Sequence, residues 1–380
     1  MYRIPFNKPF IVGKELEYIA EAVSLGNIAA DGYFTTKCSE FLADHAASPR
    51  VLMTPSCTAS LEMAAMLCEL GEGDEVILPS FTFVSTAACF VREGARPVFV
   101  DVRPDTLNID ETRIEAAITP RTRAIFVVHY AGVACEMDAI LDIAKRHGLR
   151  VVEDAAQGVN ATYRGRPLGG MGDLGAFSFH ETKNFICGEG GALCINDLDL
   201  VERAEIIRDK GTNRQAFNRG EIAKYTWVDH GSSYVPSELS CAFLWAQLEK
   251  MEVITQRRRE VHSRYQEALA PLEASGALRI PSTPAHCSLN YHMFAVLLKD
   301  MATRSLLIDH LKQRGILAVF HYVPLHLAPM GRRYGGGDAD LPVTMDVSGR
   351  LLRLPFYYEL SPDAQDEVID AVHAFFGGGS

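Results

Sequence analysis

The chain has 380 residues, 48% apolar and 22% charged, an ordinary globular composition with enough apolar mass for about two domains. Its 48 acidic and 37 basic residues leave a formal charge of −11, which argues against a general nucleic-acid surface. Nine scattered cysteines show no CxxC spacing, which excludes a zinc ribbon and a redox dithiol, and no apolar stretch reaches the roughly 20 residues of a membrane span.

The N-terminal Met1-Tyr2-Arg3-Ile4-Pro5 has no apolar h-region, so a soluble cytosolic protein with neither nucleic-acid nor membrane partners is expected. The first β-like run is Val51-Leu52-Met53, followed by a helical pattern over 58–70. Between them lies Thr54-Pro55-Ser56-Cys57-Thr58-Ala59-Ser60. Small hydroxyl residues at a helix start are ordinary N-caps, and the same free N–H groups make a phosphate seat. A strand over 75–79 leads into Ser80-Phe81-Thr82-Phe83, whose aromatic rings suit either the core or the face of a planar ligand. Further strands are expected at 96–102, 124–129 and 150–153, with a helix at 137–147 stopped by Gly148. Strands and helices in alternation indicate an α/β fold with a mostly parallel sheet covered on both faces, and ligands in such sheets bind beyond the carboxyl ends of the strands. Asp154 stands at such an end. A buried acid there is costly unless paired, so it reads either as a helix N-cap or as an anion that keeps a heteroaromatic nitrogen protonated.

Gly170-Met171-Gly172-Asp173-Leu174-Gly175 spells GxGxxG, but a dinucleotide site needs a strand before it and a helix after it. Here the preceding segment is polar and a strand follows, so the motif reads as a glycine-rich loop and a nicotinamide oxidoreductase is set aside. Short strands at 176–179 and 192–195 flank Lys183, which stands among aromatic residues and tight turns. A partly desolvated lysine has a lowered pKa and forms Schiff bases. Helices are expected at 237–251 and 257–269. A second unit then opens at Pro281 and Pro284, with strands at 293–298 and 317–321 and helices at 303–314 and 362–376. The boundary is placed near 255, giving domains 1–255 and 256–380, and the terminal Gly377-Gly378-Gly379-Ser380 carries no fold argument. A phosphate seat, an aromatic face, an acid and a lysine, in that order on an α/β sheet, meet the needs of pyridoxal phosphate.

These segments resemble the DegT/DnrJ/EryC1/StrS sugar aminotransferases. The resemblance runs from Ile4-Pro5-Phe6 to Leu351-Leu352-Arg353-Leu354-Pro355. It is carried by Thr54–Met63, by His129-Tyr130-Ala131-Gly132-Val133, by Ser178-Phe179-His180-Glu181-Thr182-Lys183-Asn184, by Lys210-Gly211-Thr212-Asn213-Arg214 and by His321-Tyr322-Val323-Pro324-Leu325-His326. It implies the PLP-dependent transferase fold type I, with a large domain built on a mostly parallel sheet and a smaller C-terminal α/β domain. It also implies Lys183 as the lysine that binds pyridoxal 5′-phosphate covalently and Asp154 as the acid on the pyridine nitrogen. Gln157 falls near the phenolic oxygen, Thr58, Ala59 and Ser178 at the phosphate, and Phe83 on the ring. His180, His321, Tyr322 and His326 are expected at the substrate cleft, with Asp31-Gly32-Tyr33-Phe34 and 210–219 as loops over it. Relatives often carry Gly-Tyr-Asn-Tyr-Arg where this chain has Gly231-Ser232-Ser233-Tyr234-Val235. That segment usually reaches the cofactor phosphate of the neighbouring subunit; Ser233 can donate a hydrogen bond there and Val235 cannot. A homodimer with its site at the subunit interface is expected.

A deoxygenating branch of the family has histidine in place of the lysine, and the retained Lys183 favours transamination. The implied reaction moves an amino group from L-glutamate to C4 of a sugar nucleotide, converting TDP-4-keto-6-deoxy-D-glucose to TDP-4-amino-4,6-dideoxy-D-galactose. An enzyme specific for C3 or for the gluco epimer, and a silent PLP-binding sensor of sugar nucleotides, stay open.

Overall fold

The computed structural model describes residues 2–377; the terminal 378–380 lie outside the described residues. In chain order the strands are β1 (Arg50–Thr54), β2 (Glu75–Pro79), β3 (Arg96–Val100), β4 (Thr122–Val128), β5 (Arg150–Asp154), β6 (Thr162–Tyr163), β7 (Arg166–Pro167), β8 (Leu174–Ser178), β9 (Gly191–Ile195), β10 (Leu278–Arg279), β11 (Cys287–Ser288), β12 (Ala295–Leu298) and β13 (Leu351–Arg353). Seven of them form the central sheet, in the order β1-β9-β8-β5-β4-β2-β3. The pairs β2–β3, β2–β4, β4–β5 and β5–β8 are parallel, and β9 runs antiparallel to both its neighbours. The near-continuous apolar character of β2, β8 and β9 follows from burial of every residue in them.

This arrangement places the carboxyl ends of β1, β2, β4, β5 and β8 on one edge. Because β9 runs backwards, its first residue, Gly191, reaches that same edge. A side chain at Gly191 would collide with the backbone of Ser56 and Cys57. The helix Cys57–Leu67 is therefore seated directly on the sheet edge, capped by Ser56, whose Oγ accepts the Ala59 N–H at 3.1 Å. The helix Met137–His147 ends at Gly148 with φ +65°, the left-handed closure for which glycine has no Cβ penalty.

A smaller antiparallel sheet, β10-β12-β13, packs with the helices Met301–Gln313 and Pro362–Gly377. The helix Met251–Ala274 joins the two parts. Met251 and Ile254 belong to the core around the large sheet, whereas Val261, Tyr265 and Leu269 belong to the core of the small one. Residue 255 lies within this helix.

Several local expectations are corrected. The segment 317–321 is not a strand: it makes one bridge, Val319 to Arg353, and then leaves the sheet edge through Tyr322, whose φ is +38°. The helix expected at 237–251 is Glu238–Leu248, with Ser237 as its cap and a break before Met251. Asp31-Gly32-Tyr33-Phe34 is no loop over a cleft. The buried Glu238 carboxylate accepts the backbone N–H groups of Gly32, Phe34 and Thr35 and so starts the helix Tyr33–Ala46. Six of the nine cysteines are buried, as small hydrophobic residues are. Among the described residues no helix is long and apolar enough to cross a membrane.

Candidate active site

A cavity of about 590 Å³ opens at the carboxyl edge of the large sheet. Its walls come from the turns after β1, β2, β5 and β8, from the small unit, and from Phe6 and Asn7 of the N-terminal segment. Thr58, Phe83, Asp154, Gln157, Ser178, His180, Lys183, His321 and Tyr322 all line it. Residues spread from 58 to 322 thus converge on one space.

Asp154 ends β5 and is 5% exposed. The Thr86 hydroxyl donates to its Oδ2 at 2.7 Å, and the Ala156 N–H donates to its Oδ1 at 3.2 Å. Thr86 in turn bonds Thr82 at 2.8 Å. Burial pushes the Asp154 carboxyl above the usual range, against those two donors and the nearby Lys183 and His129. Lys183 lies in the turn between β8 and β9, held by its N–H to the His180 carbonyl at 2.9 Å. Burial lowers its amine pKa, opposed by Cys57 and Asp154 and aided by the charge of Arg353. A lowered lysine pKa makes the neutral amine available for attack or proton transfer.

The hydroxyls of Thr58 and Ser85 pair at 2.8 Å beside the N-terminus of the Cys57–Leu67 helix, and Ser178 lines the same cavity. This cluster supplies donors and a positive dipole end for a phosphate. Gln157 is fixed at both ends: its Oε1 accepts the Ala131 N–H at 2.7 Å and its Nε2 donates to the Tyr322 hydroxyl at 3.0 Å. Tyr322 stacks on His321 at 3.6 Å between ring centres, and His321 Nδ1 meets the Tyr130 hydroxyl at 2.8 Å. Phe83 is 56% exposed at the mouth, its ring 6.5 Å from Tyr322. A buried acid, a buried amine, an exposed aromatic face and an anion seat fit a phosphorylated pyridine aldehyde.

Three expected residues lie elsewhere. Ala59 does not line the cavity; its N–H is taken up by Ser56. His326 is buried outside it, with Nδ1 at 2.6 Å from the Ser80 hydroxyl and its backbone N–H on the same oxygen. Ser233 lies in a separate cavity of about 640 Å³, with Asn27, Asp31, Asp209 and Lys210. The segment 210–219 also misses the main cavity, because it folds into the short helix Arg214–Asn218 and Arg219 pairs with Glu205 and Glu221.

Several lining residues had no signal in the sequence. Arg353, His292, Phe6 and Asn7 come from distant segments whose local patterns are those of ordinary strand or coil. The glycine-rich decoy has its own explanation. Gly169, Met171 and Gly172 all donate their N–H groups to the Glu153 carboxylate, at 2.8, 2.7 and 2.6 Å. That loop binds a carboxylate of its own chain, and a side chain at Gly175 would strike the Gly169 carbonyl.

Residues 9–373 match the model of the DegT/DnrJ/EryC1/StrS aminotransferase family. The spore coat polysaccharide biosynthesis protein SpsC of Bacillus subtilis is 35% identical over 390 residues, covering 99% of this chain and 97% of that protein. The aminotransferase TlmJ of Streptoalloteichus hindustanus is 30% identical with a TM-score of 0.90, over 100% of this chain and 99% of that one. Spr1654 of Streptococcus pneumoniae, solved in PLP and PMP forms, is 25% identical. In the PLP form it covers 99% of both chains with a TM-score of 0.90.

Proposed function

The chain belongs to the DegT/DnrJ/EryC1/StrS aminotransferase family, and from that premise we propose that it is a pyridoxal-phosphate-dependent sugar-nucleotide aminotransferase. We further propose that L-glutamate is the donor and C4 of TDP-4-keto-6-deoxy-D-glucose the acceptor, with TDP-4-amino-4,6-dideoxy-D-galactose as product. Its motifs resemble those of the transaminase that makes this sugar for enterobacterial common antigen. The observation that carries the reading is the presence of Lys183 and Asp154 in one cavity at the carboxyl edge of the sheet.

When bound, the cofactor supplies an electron sink that accepts and releases the amino group. Lys183 Nζ provides the covalent attachment point. The same amine would take the α-proton of the donor and deliver a proton to C4 of the sugar, and burial lowers its pKa in the direction that favours this. The Asp154 carboxylate, aimed by Thr86 and the Ala156 N–H, holds a proton on the pyridine nitrogen. Thr58, Ser178 and the helix start would hold the phosphate, and Phe83 and Gln157, which line the same cavity, would contact the ring. Ser233 lies outside this cavity, which suits a contribution to the site of a second copy in a homodimer.

The test incubates the purified holoenzyme with L-glutamate and TDP-4-keto-6-deoxy-D-glucose and determines the product configuration by NMR. An axial 4-amine is expected. A 3-amino or equatorial product replaces the assigned specificity, and a yellow protein that does not react with glutamate indicates a sensor. Lys183→Ala is expected to lose the visible band of bound cofactor and at least about 10⁴-fold in turnover.

A further inference from the structure

Arg353 is a second cation lining the cavity beside Lys183, and both are partly buried. It ends β13 in the small sheet, held by reciprocal backbone bonds with Val319 at 2.8 and 3.1 Å. Its guanidinium lies 4.6 Å from the centre of the Phe6 ring. Its one side-chain hydrogen bond is a long one, from Nη2 to the Phe320 carbonyl at 3.3 Å. Among the described residues its Nε is buried with no partner and no carboxylate pairs with it. A buried guanidinium Nε–H without an acceptor is costly, and natural interiors rarely leave such a donor open. Arg103, by contrast, bonds both Asp105 and Glu111, and Arg150 both Asp173 and Asp197; the Nε of Arg304 is unpartnered as well, but Arg304 does not line the cavity.

Resting on the aminotransferase reading above, we propose that Arg353 binds the α-carboxylate of the amino donor. The planar fork of arginine matches a carboxylate through two parallel hydrogen bonds. The α-carboxylate is attached to the same carbon as the reacting amine, so it must sit in the neighbourhood of Lys183. Arg353 occupies that neighbourhood, lining the same cavity. The diphosphate of a sugar nucleotide is kept away from C4 by the width of the hexose ring. A donor carboxylate therefore fits this position and a diphosphate does not. The lack of an internal partner has a purpose in a site with two alternating occupants. An anionic amino acid and a keto sugar ring enter in turn, and a cation tied permanently to a protein carboxylate could not serve the first.

The test uses holoenzyme of the wild type, Arg353→Gln and Arg353→Lys. Three quantities are measured: the half-reaction with L-glutamate, calorimetric binding of 2-oxoglutarate, and the reverse half-reaction with the 4-amino sugar nucleotide. Arg353→Gln is expected to weaken glutamate and 2-oxoglutarate about 100-fold and to leave the amino sugar within about threefold of wild type. Arg353→Lys should keep the charge, recover part of the lost affinity and guard against a folding defect in the glutamine variant. Loss confined to the amino sugar arm overturns the proposal in favour of a diphosphate contact, and no change in either carboxylate arm overturns it outright. If wild type binds 2-oxoglutarate through Arg353 yet never converts glutamate, the assigned reaction fails and the carboxylate site stands.

Discussion

Two carboxylates stand side by side at the end of β5 and face opposite sides of the sheet, because successive side chains on a strand alternate. Glu153 points into the packed side and is fully buried. It accepts the three loop N–H groups of Gly169, Met171 and Gly172, and His129 Nε2 lies 2.8 Å away. His129 Nδ1 accepts the Cys135 N–H, so its Nε2 carries the proton that goes to Glu153. Burial alone would raise the Glu153 pKa, but this set of donors outweighs it and holds the carboxyl below its usual range. Asp154 points toward the cavity with two donors only, and there burial prevails and the pKa rises. The same functional group, one residue apart, is saturated by its own chain on one face and left with spare capacity on the other. Spare capacity beside a cavity is what a ligand cation can use, and saturation is what a structural joint needs.

That contrast breaks if the two neighbours respond alike to loss of charge. The largest effect is expected from Asp154→Asn, about a 10³-fold fall in turnover with the fold retained, measured by steady-state kinetics beside circular dichroism. Next, Glu153→Gln should cost about 3 kcal/mol of stability, because it weakens a buried, fully bonded ionic cluster; chemical denaturation reads this directly. The neighbours should also differ in sign. In protein stripped of cofactor, Asp154→Asn is expected to raise stability by up to about 1 kcal/mol, since it removes an under-compensated buried charge. A fall comparable to that of Glu153→Gln would show that both acids are structural.

Acid titration sharpens the comparison. The depressed pKa of Glu153 means that its contribution is fully present above the usual carboxylate range and is lost as pH falls through its lowered value. The raised pKa of Asp154 acts oppositely: its cost is present at neutral pH and is relieved as pH falls through the raised value. Glu153→Gln should therefore flatten the acid limb of the stability profile and Asp154→Asn should steepen it. A last test concerns a residue on neither face. His326→Ala should cost about 1 kcal/mol by removing the Nδ1 partner of the buried Ser80 hydroxyl, whose oxygen keeps the backbone N–H of residue 326, with the glutamate half-reaction unaltered.

How much of this was legible in advance follows from where each signal resides. Thr58, Asp154 and Lys183 each stand just beyond a short apolar strand, so a local β pattern and the rule for ligand position sufficed to bring them forward. Phe83 was legible for the same reason, whereas Ser178 came forward through the family resemblance. His326 belongs to a motif that resembles its family, yet the motif could not tell a wall of the cavity from the packing behind it. The segment 317–321 has strand-like composition, and it fails as a strand because only Val319 finds a partner on the sheet edge.

By itself the amino-acid sequence determined the α/β class, the alternation of strands and helices, and the line of residues along one edge of the large sheet. These rest on periods of two and 3.6 residues and on turn chemistry, all of which act over a few positions. Only the tertiary structure decided that Glu153 would be locked to His129 and the glycine loop while Asp154 stayed open, and that Arg353, His292 and Phe6 would close the cavity. Those outcomes depend on which distant segments fold back onto the edge, and burial and unmet hydrogen bonds become visible only after they have done so.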